Sequence, residues 1–165
     1  MPNVPKATRW FGLAVLVLVL DYLAKIAVLA SFAPGESRSL APFFNLVLVF
    51  NKGAAFSFLA SAQGWQTLFF AAIAIVASVV IGFLILRNEG KRLFCGGLAL
   101  ILGGAVGNLY DRVAYGHVVD FLDFHALGWH WPAFNVADSA ITLGAGILIL
   151  ESFLHRETES REKGA

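Results

Sequence analysis

Two aspartates lie in strongly apolar sequence, Asp120 within His117-Val118-Val119-Asp120-Phe121 and Asp138 within Phe134-Asn135-Val136-Ala137-Asp138. An ionised carboxylate at membrane depth costs roughly 2.5–3.5 kcal/mol on insertion scales unless it faces protein or water, so such a residue marks a functional site by default. The stretch between the two aspartates is long enough for a helical hairpin to bring both carboxyl groups to one depth. Like charges a few Å apart do not both ionise readily, so the pair is expected to share one proton near neutral pH. The ionised member can then activate a water molecule, while the protonated member donates to a scissile carbonyl oxygen. That is the chemistry of metal-free hydrolysis.

Other polar residues are spaced to support such a pair. Asp21 and Lys25 share a helix face at i, i+4 in the favourable order. They read either as a self-neutralising anchor or as an organiser of the hydrolytic site. Gly104, Asn108 and Arg112 follow at i, i+4, i+8. Asn108 and Arg112 can orient a carboxylate or a substrate backbone, and a tightly packed helix explains the same spacing equally well. Asn135, Asp138 and Thr142 fall on one face of the last apolar segment. Asp111 rivals the two aspartates for a place in the pair, but an ion pair with its neighbour Arg112 is the plainer reading. Asp123 and His125 are expected on a wet connection. His117, His125 and His130 lack metal-ligand spacing, so neither a metal nor a cofactor is expected. No G-x-S-x-G element is present for a serine nucleophile. The lone Cys95 reads as a packing residue.

The composition says what must position these groups. The 165 residues are 58% hydrophobic and 14% charged, against about 45–50% and about 25% in soluble domains. A net charge of +1 with no basic stripe argues against a nucleic-acid partner. The expectation is an all-α membrane protein of one domain, 1–165, with spans near 10–30, 65–86, 93–112 and 133–153. The first span is too long for a cleaved signal and is read as an uncleaved helix. Between the first two spans, 34–37 reads as a turn and 43–50 as a strand. Asn51-Lys52-Gly53 then turns the chain into a possible second strand, 54–59, giving a small outer β element near 40–60. Its edge could hold an extended peptide. A short connection joins the third and fourth helices. Lys6, Arg9, Arg87, Lys91, Arg92, Arg156, Arg161 and Lys163 fall on one side of the membrane, against Arg38, Lys52 and Arg112 on the other. That bias places both termini in the cytoplasm and both aspartates toward the outer face. Trp65, Tyr110, Tyr115, Trp129 and Trp131 fall near the outer interface. Two other classes compete, a proton-coupled transporter and a structural membrane subunit. The internal repeats and interrupted helices typical of transporters are not visible here.

The chain resembles the lipoprotein signal peptidase family, the signal peptidase II aspartyl proteases of bacterial membranes. The matching motifs are Asn51-Lys52-Gly53-Ala54-Ala55-Phe56-Ser57, the block from Gly103 through Asn108 and Arg112 to Gly116-His117-Val118-Val119-Asp120-Phe121, and Phe134-Asn135-Val136-Ala137-Asp138-Ser139. The resemblance implies an endopeptidase that removes signal peptides from diacylglyceryl-modified prolipoproteins, just before the lipidated cysteine. It implies Asp120 and Asp138 as the catalytic pair. Asn51, Gly104, Asn108, Arg112, Asn135, Asp21 and Lys25 would support the site or contact substrate and peptide-like inhibitors such as globomycin. It further implies a monomer in contact with membrane lipid in the bacterial inner membrane, with the site and the small sheet on the periplasmic side. One departure stands out: Tyr22 follows Asp21 where the family often has Gln.

Overall fold

A computed structural model describes residues 6–53 and 65–163, with side chains described as far as residue 154. Four helices dominate: α1 (Lys6–Ser31), α2 (Trp65–Arg87), α3 (Arg92–Tyr115) and α4 (Val136–Lys163). Each is long and apolar enough to cross a bilayer, α4 over Val136–Leu154. Large apolar side chains such as Leu16, Leu68, Val79 and Ile149 point outward from them. A face of that kind is unfavourable in water and at ease in hydrocarbon.

α3 is the central helix and packs against the other three. Its small residues allow the close approach. A Cβ on Gly103 would meet the Ala14 carbonyl oxygen at 2.5 Å, and one on Gly97 would meet that of Gly144 at 2.9 Å. With little hydrophobic drive between helices in lipid, such backbone-to-backbone packing is what holds them together. At one end of the bundle Glu89, between α2 and α3, accepts from the Ala7 amide at 3.0 Å, which ties the start of α1 to that loop. At the other end Gly116, at φ 74°, stops α3 with its amide bonded to the Arg112 carbonyl oxygen.

Beyond Gly116 the chain enters a four-stranded antiparallel sheet: β1 (Ser37–Ala41), β2 (Phe44–Asn51), β3 (Val118–Ala126) and β4 (Trp129–His130), in that spatial order. β2 lies where the alternation-poor apolar run 43–50 predicts a strand. The expected strand 54–59 lies outside the described residues. The short connection expected between α3 and α4 is instead the nine-residue β3, paired along β2 from Phe44↔Phe124 to Asn51↔Val118, followed by a hairpin. Asp120 therefore stands on a strand and not on a helix. Val119 and Phe121 are buried with Leu48 and with Val28 of α1, which seats the sheet on the end of the bundle.

Candidate active site

Asp138 owes its position to the way α4 begins. Asn135 precedes the helix and caps it: its Oδ1 accepts from the Asp138 amide at 2.9 Å, and Asp138 Oδ2 accepts in return from the Asn135 amide at 3.4 Å. This is a reciprocal capping box with Asp in place of Glu. The carboxyl group of Asp138 is thereby held at the first turn, where the helix dipole favours negative charge.

The same Asn135 reaches the strand. Its Nδ2 lies 2.7 Å from Asp120 Oδ1, 3.2 Å from the Val119 carbonyl oxygen and 3.2 Å from Asn108 Oδ1. Asn51, at the end of β2, donates to Asp120 Oδ2 at 2.9 Å, and its own Oδ1 accepts from the Gly53 amide. Asn108 donates to Asp138 Oδ1 at 2.7 Å. Among the described residues no hydrogen bond joins the two carboxyl groups directly; Asn135 and Asn108 link them. Asp120 is 2% exposed. Burial, and next the charge of Asp138, push its carboxyl group up to about 7, against the opposing hydrogen bonds from Asn51 and Asn135.

Behind the carboxyl pair lies a buried ionic cluster. Lys25 Nζ is 2.7 Å from Asp21 Oδ2, 2.8 Å from Asp111 Oδ2 and 3.1 Å from Asn108 Oδ1. Each of the two carboxylates also holds a backbone amide: Asp111 accepts from Val119 at 3.1 Å and Asp21 from Ala137 at 2.8 Å. Those amides come immediately before Asp120 and Asp138. The cluster thus fixes the chain one residue ahead of each member of the pair. Gly104 completes the seat, because a Cβ there would strike the Ala137 carbonyl oxygen.

The structure corrects two readings. Asp111 pairs with Lys25, from α1, and not with Arg112. Arg112 instead donates to the carbonyl oxygens of Asn108 at 3.1 Å and Gly53 at 3.3 Å, with its guanidinium 5.5 Å over the Phe70 ring. Asp123, expected in water, is buried between Asn45 Nδ2 at 2.8 Å and His130 Nδ1 at 2.9 Å. Burial acts to raise its pKa, but those two hydrogen bonds prevail and lower it. Tyr22 is exposed and stands edge-on to Tyr110.

A cavity of about 550 Å³ is lined by Asn51 and Arg112 and by Asp138, Ile141, Thr142 and Leu143 of α4, while Asp120 lies buried behind it. Trp131 and Phe134 line it as well. The sequence places Trp131 only at the outer interface and Phe134 only within a motif; their place at the cavity depends on the hairpin that follows β3.

The signal peptidase (SPase) II family model matches residues 13–154. The chain is 58% identical to a lipoprotein signal peptidase from Paraburkholderia phymatum over 86% of each chain. It is 60% identical to one from Cupriavidus necator over 86% of this chain and 81% of the other. A solved bacterial membrane enzyme superposes with a TM-score of 0.80 at 29% identity, covering 93% of this chain and 91% of that one. With the family's pattern matched along nearly all of its apolar length and the fold shared with a membrane enzyme, the chain belongs to the signal peptidase II family of membrane proteases.

Proposed function

We propose that the chain cleaves the signal peptide from diacylglyceryl-modified prolipoproteins, just before the lipidated cysteine, with Asp120 and Asp138 as a water-activating pair. The observation that carries this reading is the meeting of two carboxyl groups from separate elements, tied through Asn135 and Asn108 beside a cavity that runs along α4. Membership in a protease family sets aside the transporter and the structural subunit.

The pair holds one proton between its two carboxyl groups and titrates as a unit. The ionised carboxylate takes a proton from water as the water oxygen attacks the scissile carbonyl carbon. The protonated carboxyl group gives its proton to the carbonyl oxygen, and a gem-diol forms. Collapse of the gem-diol breaks the C–N bond, and a proton passes to the leaving amine of the cysteine. Asn51, Asn108 and Asn135 keep both carboxyl groups aimed, while Arg112 and the Gly53 carbonyl oxygen it holds border the substrate path. Lys25, Asp21 and Asp111 position the backbone behind the pair, and Gly104 leaves room for α4. The apolar wall of Ile141 and Leu143 suits a substrate held in the bilayer by its acyl chains. A peptide-like inhibitor such as globomycin would occupy the same cavity. We place the site on the periplasmic side of the inner membrane, with both termini cytoplasmic and the protein acting as a monomer.

Replacing Asp120 or Asp138 with Asn tests the pair directly. Each carboxamide keeps the shape and part of the hydrogen bonding but has no carboxyl proton to exchange. Processing of a lipidated prolipoprotein by purified enzyme is expected to fall by at least about 10²-fold for each variant, with helical content unchanged. Retention of processing by either one rejects the assignment.

A further inference from the structure

The hairpin between β3 and β4 is built against the usual rules for a hairpin in water. Its two turn residues, Leu127 at φ 51° and Gly128 at φ 81°, both adopt left-handed backbone angles. Such two-residue turns favour Asn-Gly or Asp-Gly, because an ordinary side chain is strained there. Here the first position is a leucine, and it is fully exposed. On the same sheet Leu40, Phe43, Phe124 and Trp129 are also exposed, as is Trp131 just beyond it. Residues 124–134 contain no Lys, Arg, Asp or Glu; their two histidines stack on each other, and His130 pairs with Asp123. Phe43, Phe124, Trp129, Trp131 and Phe134, with the ring of His125, line a largely apolar cup of about 470 Å³.

Two observations name the occupant. The cup shares Trp131 and Phe134 with the cavity beside Asp138, and that cavity runs onto Leu143, an exposed residue on the outer surface of α4. The apolar patch is thus continuous with the surface that the four helices offer to hydrocarbon. Its composition, tryptophans beside a leucine tip, is also that of a membrane interface: indole rings settle at headgroup depth, and leucine below them. We propose that the β3–β4 hairpin is an interfacial anchor, with Leu127 dipping into the acyl chains of the adjacent leaflet and the aromatic cup covered by lipid. β3 carries Asp120 toward one end and this tip at the other, so the anchor holds the strand, and with it the carboxyl pair, at a fixed height on the bilayer. The reading rests on the helices spanning the membrane and not on the identity of the substrate.

The test places a reporter at the tip. In a full-length variant carrying W10F, W65F and W131F, Trp129 is the only tryptophan, and it is reconstituted in phosphatidylethanolamine–phosphatidylglycerol vesicles. Its emission is expected to be blue-shifted, quenched by lipids brominated near the headgroup end of the chain, and shielded from aqueous iodide. Adding L127N gives the turn a residue it favours, so thermal stability in detergent should hold or rise while quenching by bromolipid falls. If the triple variant fails to fold, L127C carrying an environment-sensitive fluorophore reports the same depth, since the native Cys95 is buried. Iodide access with no bromolipid quenching overturns the proposal. So does shielding that appears only when a lipidated prolipoprotein peptide is added, which would assign the cup to substrate. Unchanged bromolipid quenching in the L127N variant would also overturn the role of the tip.

Discussion

Lys25 is one cation facing two carboxylates at a depth where its side chain is only 3% exposed. Removing one member of a buried ionic cluster leaves the others unpaired and costs about 3–5 kcal/mol. Lys25→Met should therefore lower the melting temperature in detergent sharply. It should also abolish processing, because the Val119 and Ala137 amides lose their fixed acceptors. A melting temperature within error of the parent would show that the cluster contributes no such stability. Asp120 sets a separate pH dependence. Its folded pKa of about 7 lies above the ordinary 3.8, so within that window the folded protein retains a proton that the unfolded chain releases. This group's contribution to stability is present below that range and declines as pH rises through about 7. The thermal stability of Asp120→Asn should lose that portion of the pH slope. The pair also needs one proton for catalysis, so kcat/KM should fall as pH rises past about 7. A flat alkaline profile would count against the pair. The Asp21–Lys25 contact was legible from spacing because it lies within one helix. The Lys25–Asp111 contact was not, since it arises only when α1 packs on α3.

The helices were legible as elements because each is a long apolar run, and their packing was foreshadowed by the glycines of α3. β3 was hidden for a physical reason. Val118-Val119-Asp120-Phe121-Leu122-Asp123 is buried on both faces at its start, so it shows no clean apolar–polar alternation, and its two aspartates broke the apolar run. What makes it a strand is pairing with β2, a partner distant in sequence. Asn135 was legible only as a polar neighbour on the face of Asp138 and Thr142; its capping of α4 and its reach to Asp120 appear once the helix start and the sheet are in place. The glycines give a prediction at this scale. Gly104→Ala would force α3 and α4 apart next to Ala137, whereas Gly12 and Gly146 face open space in their helices. Overpacking of this kind costs typically 1–3 kcal/mol, and here it also displaces the turn that carries Asp138. Gly104→Ala should lose both stability and processing, measured by thermal unfolding and by cleavage of lipidated substrate. Gly12→Ala and Gly146→Ala should be neutral or gain up to about 1 kcal/mol from helix propensity. Equal behaviour of all three variants would rule out close packing as the role of Gly104.

At the scale of the whole molecule, the bundle has two chemically different ends. One carries Lys6, Arg9, Arg87, Lys91 and Arg92 around the loop whose Glu89 caps α1. The other carries the sheet, the carboxyl pair and exposed Trp65, Trp129 and Trp131. The charge asymmetry was legible from sequence because short loops between apolar runs can be sorted without knowing the fold. The gathering of the sheet and the start of α4 around one site was not, since it depends on how the ends of α1 and α3 pack. The asymmetry predicts an orientation, with the basic end expected in the cytoplasm. Cysteine accessibility decides it. The native Cys95 is fully buried and silent. Ser39→Cys lies exposed on β1 at the sheet end, and Gly90→Cys lies in the loop at the basic end, where a Cβ meets nothing within 4 Å. A membrane-impermeant maleimide should label Ser39→Cys in cells whose outer membrane alone has been permeabilised, and Gly90→Cys only after lysis. The reverse pattern would put the carboxyl pair on the cytoplasmic side, where a lipidated substrate already carried across the membrane could not reach it. Orientation therefore bears on the proposed substrate as directly as the geometry of the site does.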